Sequence, residues 1–197
     1  MENKYKTIHK TRRVFKSRDF NSGDGMLTAV WGPSLWHFLH IMSFNYPIKP
    51  SIEDMSHYKN FMLSLQFILP CKYCRQNLLN YYIETPITND DMADRASFSR
   101  YVYTLHESIN KRLNKPHELS YYDVRERYEH FRSRCVNDTN SIKLFPTKKE
   151  TGCTVPLYGE KSKCVIKIVP QTEKCKTIQI DKKCLKHKLH SELGKTG

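Results

Sequence analysis

The sequence predicts an all-α protein: a four-helix bundle plus a short fifth helix over residues 26–135, set between a basic arm and a basic, cysteine-containing tail. Three observations carry this. Apolar residues between Pro33 and Phe131 recur at spacings of three and four, the period of a helix with one buried face. Two Ser-x-x-Asp sequences, Ser51 to Asp54 and Ser120 to Asp123, look like capping boxes that open helices. The charge is also unevenly spread. Of a net +13, residues 1–25 carry +4, residues 26–135 only +2, and residues 136–197 carry +7. The balanced middle reads as a folded body and the basic ends as appendages.

Each element has its own signal. Residues 1–25 read as a disordered arm ending in the turn-prone Asn21-Ser22-Gly23-Asp24-Gly25. Pro33 suits the first position of a helix running to Tyr46-Pro47, with Leu35, Trp36, Leu39, Ile41 and Met42 on its apolar face. Ser51 opens a second helix through Tyr58, Phe61, Met62, Leu65 and Ile68. Pro70 ends it and starts a third, carrying Cys71, Cys74, Leu78, Leu79 and Tyr82. After a turn-rich stretch, a fourth helix fits Phe98 to Asn114, with Tyr101, Val102, Leu105, Ile109 and Leu113 on one side. Ser120 opens the short fifth helix through Tyr128 and Phe131. In the tail, 165–169 and 177–180 are apolar enough to form short strands.

No run of about 18 apolar residues is present, so no membrane span is expected. The first residues are polar and basic and lack the apolar stretch of a secretory signal, which predicts a soluble protein that begins in a reducing compartment. Seven cysteines are many for such a chain, and none precedes Cys71. Redox chemistry, metal binding or a disulfide framework must account for them.

Cys71-Lys72-Tyr73-Cys74 is the centre of the chemistry. At a helix N-terminus the dipole favours thiolate and lowers a cysteine pKa from about 8.5 toward 7, and Lys72 and Arg75 add positive charge. That suits disulfide exchange. Three readings stand at this point. A zinc site would need four ligands, for which His37 and His40 are the nearest supplement. A thioredoxin-like site would need a βαβ setting, whereas Tyr58 to Leu69 reads as helix. A flavin-linked dithiol oxidase needs partner residues elsewhere.

Those partners are found in a resemblance. Trp31-Gly32-Pro33-Ser34-Leu35-Trp36-His37-Phe38-Leu39-His40 with Asn45-Tyr46-Pro47 resembles the opening motif of the Erv/ALR sulfhydryl oxidases. Leu69-Pro70-Cys71-Lys72-Tyr73-Cys74-Arg75 resembles their flavin-proximal disulfide motif. The segment from His106 to Pro116 is similar to their His-Asn-x-x-Asn-x-x-Leu-x-Lys segment, and Arg127 to Cys135 is similar to the family's end in the form carried by large DNA viruses. Four motifs in family order span residues 31–135. Three departures lean toward the viral branch: Pro33 where arginine is usual, Glu107 where asparagine is usual, and no structural cysteine near Ser120 to partner Cys135.

The resemblance implies a helical bundle holding FAD, with the isoalloxazine against the disulfide and oxygen reduced to peroxide. It assigns Cys71 as the interchange thiol and Cys74 as the flavin-proximal one. Cofactor-binding roles fall to Gly32, Trp36, His40, Tyr46, His106, Asn110, Leu113, Lys115 and Tyr128. Trp36 and His40 lie one turn apart and can share a pocket; Tyr128 can stack on a ring and Lys115 can meet phosphate. No metal ligands are assigned. The resemblance further implies thiol-containing protein substrates, a homodimer and, for a viral enzyme, virion proteins oxidised in the host cytoplasm, with the virion itself as a second location. A shuttle cysteine pair, common in the family, would have to come from the tail, as Cys175 with Cys184 or Cys153 with Cys164. Two rival functions are a zinc-binding or redox-sensing interaction protein and a basic nucleic-acid-associated protein; the second is disfavoured by the bundle's mixed charge.

Overall fold

The structure, a computed structural model, describes residues 16–21, 23, 25–115, 118–136, 152–170, 172–173 and 179–185. Five helices follow in order: α1 (Thr28–Phe44), α2 (Ile52–Ile68), α3 (Lys72–Glu84), α4 (Arg95–Arg112) and α5 (Tyr121–Glu129). The all-α expectation therefore holds for the body of the chain. Two short strands, β1 (Ser133–Val136) and β2 (Gly152–Pro156), pair antiparallel beyond it.

Both capping boxes form. Ser51 and Ser120 each accept from the third residue's N–H, while Asp54 and Asp123 accept from the cap's N–H at 2.9 Å. Those contacts hold both aspartates below the usual carboxylate range. α4 starts three residues earlier than its periodicity suggests because Asp94 caps it, accepting from Ser97 N–H at 2.7 Å.

α1 is the larger correction. It begins at Thr28, so Pro33 lies inside the helix and not at its first position. Leu27, the residue before it, supplies no side-chain cap. Tertiary contacts start the helix instead: Trp31 Nε1–H donates to Met26 O at 3.1 Å, and Met26 N–H donates to Pro70 O at 2.9 Å. Pro33, exposed on the helix, removes the hydrogen bond its N–H would give to Ala29 O, a local cost that the packing of α1 offsets.

The main core gathers Leu39, Met62, Leu65, Leu78, Phe98, Val102 and Leu105 from four helices and Tyr46 from the turn after α1. A second cluster of Phe44, Tyr121 and Tyr128 docks α5 onto α1. Ile41, Ile68 and Leu113, expected on buried faces, are exposed. The first two sit on the outward side of their helices, and Leu113 follows the last turn of α4, where Asn114 adopts φ 50°. Asparagine tolerates that left-handed backbone. Lys115 N–H then returns to Asn110 O at 3.0 Å.

Beyond α5 the structure departs from expectation. Residues 165–169 form no strand, and Val165, Ile166 and Ile168 are exposed; apolar alternation without a partner ladder makes no sheet. Of 177–180, residues 177 and 178 lie outside the described set, while Gln179 and Ile180 have no strand. The strands that do form place the backbones of Cys135 and Cys153 opposite each other, and Leu157 N–H donates to Arg132 O at 2.8 Å. The start of the tail thus folds back onto the end of the bundle. Of the expected arm, Ser17–Asn21 forms a 3-10 turn and most of the rest lies outside the described residues. Among the described residues no helix is long and apolar enough to cross a membrane.

Candidate active site

Cys71 and Cys74 are joined in a disulfide at the N-terminus of α3. Cys71 is the N-cap, and its Sγ accepts from Cys74 N–H at 3.2 Å. Pro70 forbids α2 from continuing, so the chain turns sharply and restarts with the first sulfur on the new helix end. Arg75 Nη1 donates to Leu69 O and locks that turn. Residues 25–27 strap the turn from above. Gly25 bridges Cys71 with φ 121°, and a Cβ there would stand 2.9 Å from Pro70 O, so only glycine fits.

The two sulfurs have different neighbours. Cys71 stands beside exposed Lys72 and Tyr73, whereas Cys74 packs against the main core. Cys74 Sγ lies 3.9 Å from Thr28 Oγ1, a contact across 46 residues.

Thr28, Gly32, Trp36 and His40 follow one another along α1 at intervals of four, a track about 18 Å long. Gly32 is buried, and a Cβ there would meet only the Thr28 methyl at 3.6 Å. The helix therefore does not itself require glycine; its missing side chain leaves a flat step in the track. At the far end aromatic rings converge. Trp36 stacks on His106 with centroids 3.9 Å apart and planes 5° apart. His40 Nε2 and His106 Nδ1 share a hydrogen bond of 3.0 Å. His40 also stacks on Tyr128 at 5.1 Å, and Tyr128 Oη meets His37 Nδ1 at 3.3 Å.

Burial dominates the electrostatics. It lowers His40 to about 3, helped by His106 and His37, and lowers His106 to about 4, helped by the Lys115 charge. Tyr128 is pushed up to about 12 by burial. All three are uncharged at neutral pH. One buried polar atom in the cluster, His40 Nδ1, has no hydrogen-bond partner among the described residues. Such an atom costs about 1–3 kcal/mol unless something satisfies it.

The structure thus brings Trp36, His40, His106 and Tyr128 together, with Gly32 on the same helix track. Asn110 and Lys115 sit at the end of α4, where Lys115 is near enough to bias His106. Tyr46 is elsewhere: it is fully buried between Tyr58 and Phe98, its hydroxyl donating to Met92 O at 2.9 Å. Leu113 is half exposed at the α4 C-cap. Sequence reasoning missed Thr28 and Gly25, because a helix started at Pro33 leaves both in a loop. The four-residue spacing from Thr28 to His40 was the available signal. His37, weighed only as a zinc ligand, holds Tyr128 in place.

The family model described as Erv1 / Alr family matches residues 33–132. The chain belongs to the Erv1/Alr family. Among its relatives, a probable FAD-linked sulfhydryl oxidase of Acanthamoeba polyphaga mimivirus is 31% identical over 85 residues, which is 43% of this chain and 59% of that protein. A putative FAD-linked sulfhydryl oxidase of Invertebrate iridescent virus 6 is 31% identical over 91 residues, 44% of this chain and 82% of the relative. The FAD-linked sulfhydryl oxidase of African swine fever virus is 28% identical over 99 residues, 50% of this chain and 80% of the relative. The match to the mimivirus protein thus covers less than two thirds of that protein, and the tail of this chain lies outside the family match.

An FAD suits this site. A planar aromatic group fits the flat Gly32 step and the neutral ring cluster, and the unpartnered His40 Nδ1 is a polar atom that such a ligand can satisfy. Lys115 offers positive charge at the edge.

The tail cysteines differ from both expected pairings. Cys153 is disulfide-bonded, while Cys164 and Cys184 are free thiols. Cys175 and the Cys135 side chain lie outside the described residues.

Proposed function

We propose that this chain is an FAD-dependent thiol oxidase that makes disulfide bonds in protein substrates and passes the electrons to oxygen. The observation that carries the reading is the half-buried Cys71–Cys74 disulfide at a helix N-terminus, with Cys71 as the cap and Cys74 packed against the core.

An incoming thiolate attacks Cys71 Sγ. A substrate–Cys71 bond forms, the Cys71–Cys74 bond breaks, and Cys74 leaves as thiolate. The Thr28 hydroxyl, 3.9 Å away, is placed to donate to that thiolate. A second substrate thiol then attacks the mixed disulfide and releases Cys71, whose thiolate is favoured by the Cys74 N–H and the helix dipole. Two electrons and two protons have left the substrate. An FAD held at this site would supply the acceptor for the electron pair of the Cys71–Cys74 dithiol and its passage to oxygen, which leaves as peroxide. Gly32, Trp36, His40, His106 and Tyr128 would hold its ring systems, Asn110 and Lys115 its polar edge; Tyr46 and Leu113 would act at most through packing.

Residues 26–135 form the proposed oxidase domain, with 1–25 and 136–197 as basic appendages. Exposed Phe38 and Ile41 on α1, with Ile52 on α2, support a homodimer through those helices. The viral relatives support action on virion proteins in host cytoplasm, with packaging into the virion as a further possibility to assay. The basic ends leave contact with nucleic acid open to a direct binding assay, though the mixed charge of the bundle argues against it as the main role. The test is peroxide release on adding dithiothreitol to the FAD-loaded protein. One peroxide per dithiol is expected, and absence of oxygen uptake by a flavin-loaded protein contradicts the reading.

A further inference from the structure

The solvent side of the disulfide has surroundings that thiol exchange alone does not require. Phe67 and Ile68 in the last turn of α2, Tyr73 between the cysteines, and Met26 and Leu27 on the strap are all exposed, Tyr73 by 80%. The backbone gathers them. Gly25 bridges Cys71, Met26 bonds Pro70, and only Leu69 and Pro70 separate Ile68 from Cys71. Five large apolar side chains around one reactive sulfur form a patch of the kind that marks an interaction site. Lys72 and Arg75 flank the disulfide, and no acidic residue occurs from Met55 through Ile83, which spans most of α2, the turn and α3; Asp24 precedes the strap.

We propose that this rim is a docking surface for an extended segment of a separate substrate chain whose reactive cysteine is flanked by apolar and acidic residues. The proposal rests on the oxidase reading and names its substrate class. Charge complementarity selects the occupant. The chain's own Cys164 to Val169 segment is also apolar and exposed, but it carries Lys167 and follows Lys161 and Lys163, which repel Lys72 and Arg75. A second copy would set two basic rims face to face. On docking, the substrate thiolate is delivered to Cys71 Sγ and Cys74 departs with the electron pair, as in the exchange above.

The test uses the full-length FAD-loaded protein and reduced dithiol peptides of one length with apolar–acidic, apolar–basic or polar–neutral flanks, with dithiothreitol as reference. The apolar–acidic peptide should exceed the polar–neutral one by about tenfold in kcat/KM, the size that burying one apolar side chain gives. It should also exceed the apolar–basic one, by a margin that shrinks at high salt. Lys72→Glu should reverse the acidic preference, and Phe67→Ser should lower the ratio of peptide to dithiothreitol turnover. Equal kcat/KM for all peptides while dithiothreitol is oxidised overturns the docking proposal and leaves the oxidase reading intact. Preference for the basic peptide, or for a peptide copying residues 161–169, assigns the rim to the chain's own tail and also overturns it. Failure to oxidise dithiothreitol is instead a failure of the oxidase reading. The peptide panel on the unmodified protein decides the matter even if a variant does not fold.

Discussion

Cys71 and Cys74 are three residues apart, covalently joined and equally half-buried, yet they have different neighbours. Around Cys71 are the exposed Lys72, Tyr73 and strap; around Cys74 are the edge of the core, the exposed Thr28 hydroxyl and the start of the track that leads to the ring cluster. The difference comes from placing the first cysteine at an N-cap and the second one turn inside. In the proposed reaction the first sulfur meets the substrate thiolate and the second, packed against the core, leaves as thiolate.

Removing either sulfur should break this comparison most severely. Cys71→Ser and Cys74→Ser should each lower peroxide formation by at least about a thousandfold, or about 4 kcal/mol in the barrier. The asymmetry itself is read by alkylation: in the reduced protein, iodoacetamide should modify Cys71 well before Cys74, and equal rates would contradict the two-sided picture.

Acid should act next, through the buried histidines. His40 and His106 are neutral in the fold with pKa values of about 3 and about 4, against 6.5 in an unfolded chain. The unfolded state therefore binds more protons below neutrality. Stability is fully present above about pH 6.5 and is lost as pH falls from there toward the folded values, by roughly a few kcal/mol in total. Melting temperature measured from pH 7.5 to 4.5 should fall across that window. His40→Gln should flatten the slope.

The strap gives a smaller effect. Gly25→Ala places a Cβ 2.9 Å from Pro70 O in a backbone region that alanine resists, at a cost of about 1–3 kcal/mol. Denaturant unfolding measures it, and faster alkylation of Cys74 should accompany it. Thr28→Val should slow turnover by only a few-fold, about 1 kcal/mol for one weak hydrogen bond, while Thr28→Ser preserves it. Gly32→Ala separates packing from cofactor binding. It should leave or raise stability, since the space is open and alanine suits a helix, yet weaken FAD affinity.

Much of this was legible in sequence because local rules act locally. Ser51, Ser120 and Pro70 announce helix ends through chemistry complete within four residues. The disulfide and the ring residues were found by motif, and Trp36, His40, His106 and Tyr128 do converge. What stayed hidden depends on distant contacts. The start of α1 is set by Trp31 bonding Met26 O and by Met26 N–H reaching across to Pro70 O, and β1 finds its partner only beyond residue 151. Tyr46 shows the converse limit: membership of the opening motif assigned it to the cofactor, while its side chain is buried in the core with its hydroxyl on Met92 O. Tyr46→Phe should accordingly cost about 1 kcal/mol in stability and leave flavin affinity unchanged.

The most direct test is the visible spectrum of the purified protein before and after anaerobic dithiothreitol. The account predicts a bound yellow flavin that bleaches with the thiol and recovers in air, and that no longer bleaches in Cys74→Ser. A folded protein that stays colourless with added FAD, or a bound flavin that the thiol cannot reduce, would contradict it.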